Sequence, residues 1–332
     1  KNLNLLYYLL IKSKWKEGQI MADKYDVIII GAGPGGMTAG LYAARANLKI
    51  LVLDRGPYGG QMNNTDAIDN YPGFSEIKGP ELSQKMYDTM MKFEPDYKYG
   101  NVQSVELDGE DKLVKTDDGN EYRAPIVIIA TGSDHKHLNV PGEEEYSGKG
   151  VSYCAVCDAA FFKDEDVAVI GGGDSAIEEG IYLSQLAKSV TVIHRRDQLR
   201  AQPTLQKRAF ANKKMHFIWN AQTEEILGDD MKVTGVKYRD KETGAEKEIP
   251  VAGVFIYVGV LPQTEPFKDL GILDDHGWIV TDDHMETKVP GIFALGDVRQ
   301  KDLRQIANAV GEGSVAGQAA YNYYQDLQDK KN

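Results

Sequence analysis

The hydrophobic pattern of the chain is dominated by short, unbroken apolar runs that alternate with helical stretches. Val27–Ile30 is a continuous run of β-branched residues, a helical stretch follows at residues 37–46, and a second apolar run occupies residues 49–53. Unbroken runs of this length are typical of strands that are buried on both faces of a parallel sheet. We therefore predict a β-α-β unit that begins near Tyr25.

The same pattern recurs 140 residues further along the chain. An apolar run at residues 166–170 leads into a glycine-rich turn, a helix from Ile177 and a strand at residues 190–193. The offset is constant without a gap, as shown by the pairs Gly31 and Gly171, Gly40 and Gly180, and Tyr42 and Tyr182. Two Rossmann-like units in one chain indicate two dinucleotides, which is the arrangement of a flavin enzyme that a nicotinamide reduces.

The remaining patterns predict smaller elements around these two units. Residues 101–116 alternate around a turn at Asp108-Gly109, a second turn follows at residues 117–120, and residues 232–239 with 246–251 resemble a hairpin. Further buried strands are expected at residues 126–130, 254–258 and 291–295, with a helix that begins near Arg304. The predicted fold class is α/β, with two Rossmann-like FAD/NAD(P)-binding domains, parallel sheets and small antiparallel meanders.

The turn after the first strand carries the sequence Gly31-Ala32-Gly33-Pro34-Gly35-Gly36. In a G-x-G-x-x-G motif between strand and helix, the first glycine permits the tight turn, and the second lets the backbone approach a pyrophosphate. The third lets helix and strand pack closely, and the helix N-terminus receives the phosphates. Asp54 lies 18 residues after Gly36 and can accept hydrogen bonds from ribose hydroxyls. The first unit therefore predicts a dinucleotide site.

The second unit differs from the first at the end of its second strand. Where the first unit has Asp54, the second has His194, followed by Arg195 and Arg196. An acid at this position repels a 2′-phosphate, whereas guanidinium groups bind it. The first site therefore suits an unphosphorylated ribose, as in FAD, and the second suits NADPH. A solvated surface pair is the alternative interpretation of the two arginines.

The only two cysteines, Cys154 and Cys157, form a C-x-x-C motif. A structural zinc site needs four ligands, and the nearest candidates, His135 and His137, lie at least 17 residues upstream. A purely structural disulfide would close so short a loop that it constrains the unfolded chain little. Zinc and a structural disulfide stay open as alternatives, but a redox pair is favoured beside two dinucleotide sites, and no metal is expected.

Length and charge narrow the functional classes. At 332 residues the chain is long for one core, so two domains are expected. The net charge of −12 argues against binding to nucleic acid or to an anionic membrane. Residues 1–20 contain an apolar run that is too short for a membrane helix and lacks a signal-peptide cleavage site. We expect them to be an extension outside the fold, before a natural start at Met21.

Five motifs together resemble the bacterial low-molecular-weight thioredoxin reductases over roughly residues 21–328. They are residues 31–36, Gly59-Gly60-Gln61, Cys154-Ala155-Val156-Cys157-Asp158, residues 171–176 with His194-Arg195-Arg196, and Gly296-Asp297 with Arg304-Gln305. The sequence departs from the family pattern at Asp174-Ser175, where Asn-Thr is common, and at Leu199, where Phe is usual. A third departure is Tyr58, which precedes the two glycines Gly59 and Gly60. The extra acid is expected to weaken NADPH binding modestly.

The resemblance implies a cytoplasmic homodimer that uses FAD and NADPH to reduce thioredoxin. It places a discontinuous FAD-binding domain at residues 21–135 and 260–330. An NADPH-binding domain that carries the C-x-x-C motif is expected to be inserted at residues 136–259.

The resemblance also assigns residues to each site. FAD contacts are expected from Gly31, Gly33, Pro34, Gly36, Asp54, Arg55, Gly60, Gln61, Asn70, Val102, Ala130, Thr131, Gly132, Gly296, Asp297, Arg304, Gln305 and Ile306. NADPH contacts are expected from Gly171, Gly173, Asp174, Ser175, Ala176, His194, Arg195, Arg196 and Arg200. The expected catalytic residues are Cys154, Cys157 and Asp158.

The implied reaction passes electrons from NADPH to FAD, then to the Cys154–Cys157 disulfide, and then to thioredoxin through a mixed disulfide. By resemblance, Cys157 faces the flavin and Cys154 attacks the partner. Asp158 can donate and accept protons for the thiolates, with a helix cap as the alternative. Because nicotinamide and disulfide must both reach the flavin, we expect a rotation about the connections near residues 133–138 and 258–262.

Several related functions fit only part of the pattern. The flavoprotein component of alkyl hydroperoxide reductase carries a further N-terminal disulfide domain, which residues 1–20 are too short to supply. Ferredoxin- or flavodoxin-linked relatives lack the C-x-x-C motif, and dithiol oxidases of this fold lose the NADPH motif. A flavin-binding redox sensor, or a related dithiol-disulfide oxidoreductase with another disulfide partner, is the alternative that stays open.

Overall fold

The computed structural model describes residues 22–65 and 68–331. The predicted extension at residues 1–20 and the predicted start at Met21 lie outside the described residues. The chain divides into two units. Of the described residues, the first unit comprises those up to Ser133 together with those from Pro262, and the second is the inserted segment Asp134–Leu261. The sequence predicts an inserted domain at residues 136–259.

The helices and strands follow each other in an order that repeats between the two units. Up to the insertion, the elements are β1 (Asp23–Lys24), β2 (Val27–Ile30), α1 (Pro34–Arg45), β3 (Ile50–Asp54), α2 (Gly79–Met91), β4 (Asp96–Tyr99), β5 (Val102–Asp108), β6 (Asp111–Thr116), β7 (Glu121–Ala124), β8 (Ile126–Ile129) and β9 (Ser133–His135). The inserted unit contains β10 (Val151–Ser152), α3 (Ala155–Asp158), β11 (Asp166–Gly171), α4 (Asp174–Leu186), β12 (Ser189–Ile193), α5 (Pro203–Ala211), β13 (Met215–Ile218), β14 (Ala221–Gly228), β15 (Val233–Asp240), β16 (Glu246–Pro250) and β17 (Gly253–Tyr257). The chain then forms β18 (Val260–Pro262), β19 (Ile292–Ala294) and α6 (Ile306–Asp329).

The core of the first unit is a five-stranded parallel sheet in the order β19-β8-β2-β3-β4. Alternate residues of a strand point to opposite faces of the sheet. In β2, Val27 and Ile29 belong to the apolar cluster on one face, whereas Ile28 and Ile30 belong to the cluster on the other. Both faces are therefore covered, which is why the sequence of this strand is apolar without interruption.

The inserted unit repeats this arrangement in a second five-stranded parallel sheet, in the order β10-β17-β11-β12-β13. Val27 of β2 pairs with Ile50 of β3, and Val167 of β11 pairs with Val190 of β12. The two units therefore share their strand register at the 140-residue offset. The predicted duplication and the predicted α/β fold class are confirmed.

Each unit also carries a small antiparallel sheet. Strands β5, β6 and β7 form the predicted meander of the first unit, and β1 joins β7 in parallel. In the inserted unit, the predicted hairpin of β15 and β16 gains a third strand, β14, which the sequence did not indicate. The register of β14 shifts twice, between Thr223 and Glu225 and between Leu227 and Gly228. These shifts interrupt the alternation on which strand prediction depends.

The two segments that connect the units, β9 and β18, pair with each other as a two-stranded sheet. Helix α1 begins at Pro34, three residues before the predicted start, because proline suits the first position of a helix. Within residues 22–65 and 68–331, no helix is both long and apolar enough to cross a membrane.

Two candidate dinucleotide sites and a candidate redox centre

The first glycine-rich turn, between β2 and α1, has the geometry that a bound pyrophosphate requires. Gly31 has a φ of +109°, and a β-carbon there would overlap the carbonyl oxygen of Ala130. A β-carbon on Gly36 would overlap the carbonyl oxygen of Gly31. By contrast, a β-carbon on Gly33, just before the first helical residue Pro34, would meet no atom within 4 Å. The first and third glycines therefore serve packing, and the second leaves space for a phosphate.

Asp54, the last residue of β3, is held by the backbone of this turn. Its Oδ2 accepts a 2.6 Å hydrogen bond from the N–H of Ala32, and its Oδ1 accepts a 2.8 Å bond from the N–H of Gly56. Burial raises the pKa of the Asp54 carboxyl, although these N–H groups and Arg55 act in the opposite direction. Each carboxylate oxygen has a second lone pair, so Asp54 can still accept from a ribose hydroxyl.

A cavity opens beside Asp54 at the carboxyl ends of β2 and β3. Its walls include Gly31, Asp54, Arg55, Val102 and Thr131 of the predicted flavin site, together with Gly100, Asn101, Gln263 and Pro266, which sequence reasoning missed. Arg55 Nη1 donates to Gln263 Oε1 at 3.3 Å, and Thr131 Oγ1 donates to the Gln263 carbonyl oxygen at 2.7 Å. Gln263 follows the insertion, so only the tertiary fold brings it here and no local signal identifies it.

A second group of predicted flavin residues gathers at the N-terminus of α6. Gln305 is the N-cap residue, directly before Ile306, and its Oε1 accepts a 2.9 Å hydrogen bond from Asn70 Nδ2. Arg304 Nε donates to the Asp297 carbonyl oxygen at 3.4 Å. These residues come together from distant parts of the chain, but they do not line the cavity beside Asp54.

The remaining predicted flavin residues lie in turns of the first unit. Gly60, with a φ of +55°, begins the 3₁₀ turn Gly60–Asn64. Gln61 in this turn donates from Nε2 to the Ser133 carbonyl oxygen at 3.4 Å. Gly132 has a φ of +70° and follows β8, two residues after Ala130.

A buried ion cluster, which no sequence motif indicated, supports the turn that carries Asp297. Glu312 on α6 accepts a 2.6 Å hydrogen bond from the N–H of Gly296 and forms ion pairs with Arg299 at 2.8 Å and Lys301 at 3.2 Å. Lys301 Nζ also lies 3.9 Å from Asp297 Oδ1. Burial raises the pKa of Asp297, and Lys301 is the first of the nearby cations that oppose this rise. The cluster therefore fixes the backbone on both sides of Asp297.

The glycine-rich turn of the inserted unit repeats the geometry of the first turn. Gly171 has a φ of +147°, and a β-carbon there would overlap the carbonyl oxygen of Tyr257. A β-carbon on Gly172 would lie 2.5 Å from the imidazole ring of His194. A β-carbon on Gly173 would meet no atom within 4 Å. As in the first turn, the second glycine of the motif is the one that faces open space.

A cavity at the carboxyl ends of β11 and β12 contains part of the predicted NADPH site. Its lining includes the predicted residues Gly171, His194, Arg195 and Arg200, and the unpredicted residues His137, Val140, Gln222 and Thr223. Arg196 is exposed and is not among the lining residues. On α4, Ser175 is exposed and Ala176 is buried.

Two polar residues at this site have environments that bear on ligand binding. Burial, followed by the charge of Arg200, lowers the pKa of His194. Among the described residues, its buried Nε2 has no hydrogen-bond partner, so it can bond a ligand. Asp174 accepts a 2.7 Å bond from the N–H of Gln202 and a 3.0 Å bond from Gln202 Nε2. These donors partly compensate the charge of the extra acid.

The two cysteines are joined as a disulfide at the start of α3. Cys154 is the N-cap residue, and its Sγ accepts a 3.2 Å hydrogen bond from the N–H of Cys157. Asp158 ends α3, and its Oδ2 accepts a 2.6 Å bond from Ser152 Oγ, which in turn accepts from the N–H of Cys154. Asp158 makes no capping bond to the next turn, Ala159–Phe162. Asp158 nevertheless occupies the N-cap position of that turn, so the helix-cap interpretation rests on its position and not on a side-chain bond.

The zinc interpretation of the cysteine pair finds no support in the structure. The closed disulfide leaves no pair of thiolates to bind a metal ion. In the part of the chain that the structure describes, no three His, Cys, Asp or Glu side chains are grouped as a metal site would require.

A polar network that the sequence did not reveal leads from the segment before Cys154 to the nucleotide cavity. Tyr153 donates to Glu143 Oε1 at 2.6 Å, and its hydroxyl lies 2.7 Å from His137 Nδ1. Burial alone would raise the pKa of the Glu143 carboxyl. The hydrogen bonds from Tyr153, Leu138 and Asn139 nevertheless lower this pKa. The network thus holds the segment before the disulfide through a buried carboxylate.

Comparison with known proteins assigns the whole pattern to one family. A model of the pyridine nucleotide-disulphide oxidoreductase family matches residues 25–313. The thioredoxin reductase of Bacillus subtilis (strain 168) is 54% identical over 305 residues, which cover 92% of this chain and 96% of that protein. The thioredoxin reductase of Listeria monocytogenes is 55% identical over 305 residues, with 92% and 95% covered. The chain belongs to the thioredoxin reductases of this family.

Solved structures of thioredoxin reductases share the fold. The Lactococcus lactis enzyme in its FR conformation matches with a TM-score of 0.90 at 53% identity, covering 91% of this chain and 100% of that one. The T. acidophilum enzyme matches with a TM-score of 0.86 at 41% identity, covering 90% and 98%. The resemblance inferred from the five motifs is therefore confirmed.

Membership of the thioredoxin reductases implies that the protein uses a flavin and NAD(P)H. The residues present fit two dinucleotides. Each unit has a strand–glycine turn–helix, with open space at Gly33 in one and at Gly173 in the other. Each turn adjoins a cavity, and the buried Nε2 of His194 is available to a ligand in the second.

The contrast between two neighbouring glycines of this thioredoxin reductase gives a first prediction. Gly172→Ala is expected to lower the free energy of unfolding by about 1–3 kcal/mol, because the new methyl group must displace the packed His194 ring. Gly173→Ala meets no atom and is expected to leave stability within about 0.5 kcal/mol. Its methyl group should instead weaken NAD(P)⁺ binding. Denaturant unfolding and titration calorimetry measure the two effects, and equal stability of both variants would contradict the packing role of Gly172.

Proposed function

We propose that the protein is an NADPH-dependent thioredoxin-disulfide reductase that holds FAD in its first unit and NADPH in its inserted unit. The observation that carries the proposal is a C-x-x-C disulfide in the same unit as an arginine-lined nucleotide cavity. Family membership supports it. Under this proposal, residues 21–135 and 260–330 bind FAD, and residues 136–259 bind NADPH and carry the redox centre.

The flavin nucleotide is assigned to the first unit because of the acid at the end of β3. Asp54 can accept from both ribose hydroxyls, whereas it would repel a 2′-phosphate. The turn at residues 31–36 would receive the pyrophosphate at the N-terminus of α1. The group around Asp297 and Gln305 at the start of α6 would hold the flavin end, with the Glu312 cluster behind it.

NADPH is assigned to the inserted unit because cationic side chains replace the acid there. Arg195 and Arg200 line the cavity, and either guanidinium can donate two parallel hydrogen bonds to a phosphate. His194 presents its free Nε2 beside them. Arg196 is assigned a supporting electrostatic role, since it lies next to the cavity without lining it.

Bound flavin would supply the two-electron link between nicotinamide and disulfide. When two electrons enter the Cys154–Cys157 bond, it breaks, one sulfur takes a proton and the other is left as a thiolate. Asp158, positioned by Ser152, is the group that can hold and return this proton. The Cys154 thiolate then attacks the disulfide of thioredoxin and expels one of its sulfurs. Cys157 attacks the Cys154 sulfur of this mixed disulfide, which releases reduced thioredoxin and closes the original bond.

An exposed aromatic residue next to the redox centre suits the docking of a protein substrate. Phe161 is 81% exposed, in the turn that follows α3, and exposed aromatic side chains often carry protein–protein binding energy. Phe161→Ala is expected to raise KM for thioredoxin about five- to thirtyfold, a loss of about 1–2 kcal/mol. Turnover of a small aromatic disulfide should not change. The control is Phe210→Ala on α5, and an equal loss with the small disulfide would contradict a docking role.

An apolar groove in the first unit supports the proposal of a homodimer. It lies between α1, α2, α6 and the segment before α2, and its lining includes Met37, Leu41, Tyr42, Tyr71, Phe74, Leu82 and Val310. Tyr42 and Phe74 are each 39% exposed, and apolar patches of this kind usually mark interaction sites. We assign the groove to a second copy of the chain. Sedimentation equilibrium should give twice the 36.8 kDa chain mass, and a monomer at micromolar concentration would contradict the assignment.

The experiment that tests the proposed function is turnover with NADPH and thioredoxin. Steady oxidation of NADPH that requires both the protein and a disulfide-containing thioredoxin would support it. Reduction of the flavin by NADPH without turnover would favour a redox sensor or a different disulfide partner. We place the reaction in the cytoplasm, where thiols are kept reduced and protein dithiols are usually catalytic.

A further inference from the structure

A carboxyl group lies beneath the redox centre and takes no part in the reaction outlined above. Glu179 projects from α4 towards the start of α3, where the N–H of Ala155 donates a hydrogen bond to its carboxyl group. The same N–H lies 3.0 Å from the hydroxyl of Tyr257 on β17. Ala155 is fully buried and directly follows Cys154. The Glu179 carboxyl is therefore one residue away from a sulfur that changes its charge.

The second oxygen of this carboxyl is isolated. Part of the Glu179 side chain reaches the surface, but its Oε2 is inaccessible to solvent and has no hydrogen-bond partner among the described residues. An ionised carboxylate in such a place would keep an uncompensated charge, which is costly. The surroundings of Glu179 therefore favour the neutral, protonated form of its carboxyl group.

The groups around Glu179 favour the same state. Burial, followed by the charge of the adjacent Glu178, raises the pKa of Glu179 to about 8, although the Ala155 N–H acts in the opposite direction. Tyr257 of β17 faces the carboxyl, and the charge of Asp158 on α3 raises the pKa of Tyr257. The other elements packed on α4 carry the titratable residues Lys207, Arg208, Asp166 and His216. At neutral pH the carboxyl is thus protonated while the disulfide is closed.

We propose that Glu179 is a positioning residue whose retained proton prevents a second negative charge beside the thiolate of the reduced cysteine pair. When two electrons and one proton convert the disulfide to a thiol and a thiolate, Glu179 stays neutral and continues to accept from the Ala155 N–H. The thiolate should then make the carboxyl harder to ionise, since a like charge disfavours the charged form. The proposal rests on the redox role of the disulfide in the proposed function, but it does not require thioredoxin to be the substrate.

The coupling between the carboxyl and the sulfurs can be measured directly. The holoenzyme is labelled with ¹³C at the Glu δ-carboxyl, and the signal of Glu179 is followed by NMR from pH 5 to pH 10. One titration is made with the enzyme in its disulfide form, and a second is made with excess dithiothreitol. Loss of the signal in Glu179→Gln or, if that variant is unstable, in Glu179→Asp assigns it. We expect a midpoint near 8 in the disulfide form and a midpoint about one unit higher or more in the dithiol form, a tenfold tighter proton. A midpoint that is unchanged or lower after reduction would overturn the proposal.

Two controls separate this effect from others. Glu165 is exposed in the same unit, and its signal, assigned with Glu165→Gln, should have the same midpoint in both redox states. In the Cys154→Ser, Cys157→Ser double variant the sulfurs cannot change state, so Glu179 should titrate alike with and without dithiothreitol. A shift in that variant would attribute the effect to the flavin and overturn the proposal. Because dithiothreitol reduces the disulfide directly, failure of thioredoxin turnover would leave this result intact, and the two proposals fail separately.

Discussion

Cys154→Ser is expected to abolish thioredoxin reduction while NADPH still reduces the flavin. A hydroxyl at residue 154 cannot form the mixed disulfide, so turnover should fall by roughly a thousandfold or more, as for loss of a catalytic nucleophile. Reduction of the flavin by NADPH does not need the disulfide and should keep its rate. Anaerobic stopped-flow absorbance measures flavin reduction, and a coupled assay with thioredoxin measures turnover.

The remaining sulfur provides an internal check on this result. In Cys154→Ser, Cys157 is left as a thiol or thiolate, and a long-wavelength charge-transfer band would report its contact with the flavin. Cys157→Ser should also lose turnover, because thioredoxin bound to Cys154 as a mixed disulfide can no longer be released by a thiol of this chain. Thioredoxin turnover that survives in Cys154→Ser would refute the assignment of Cys154 as the attacking sulfur.

Replacing both Arg195 and Arg196 by alanine is expected to remove the preference for NADPH over NADH. A hydrogen-bonded guanidinium–phosphate contact contributes about 1.5–3 kcal/mol, or about ten- to hundredfold in kcat/KM. Because Arg195 lines the cavity and Arg196 does not, Arg195→Ala alone should account for most of the loss. The preference is measured as the ratio of kcat/KM for the two nucleotides.

A matched variant tests whether the arginines act by position or only by charge. Lys149 is an exposed cation of the same unit and is not a lining residue of the cavity. Lys149→Ala removes one positive charge and should leave the nucleotide preference unchanged. Equal kcat/KM for NADH and NADPH in the parent protein would contradict the proposed role of Arg195.

The strands that could be predicted are those with a continuous apolar sequence, because they are buried on both faces of a sheet. Strands β2 and β11 have this property. The glycine-rich turns could also be predicted, because their backbone geometry requires glycine. Strand β4, Asp96–Tyr99, could not be predicted because it lies at the sheet edge, where its polar side chains remain partly exposed. Strand β14 could not be predicted for a different reason, since its two register shifts interrupt the alternation of apolar and polar residues.

The residues of the candidate sites also fall into those that a local motif predicts and those that only the tertiary fold brings to the site. The glycine turns, Asp54 and Arg195 could be assigned because a local motif fixes their place relative to a strand end. Gln263 could not be assigned, since it reaches the first cavity from beyond the insertion. For Glu178 and Glu179, the sequence shows two adjacent acids on a helix, and only the packing of α4 against α3 and β17 determines which of them is turned inwards.

The insertion also sets the order in which a newly made chain can become folded. The inserted unit, Asp134–Leu261, is contiguous and can close its own sheets as soon as it leaves the ribosome. The first unit must wait, because β19 pairs with β8 across the insertion and the last helix, α6, packs on α1. At about 5–20 residues per second, the last 70 or so residues take roughly 3 to 14 seconds to synthesise. During that interval the side of α1 that packs on α6 has no cover, so binding by chaperones is expected there and should end once α6 has emerged.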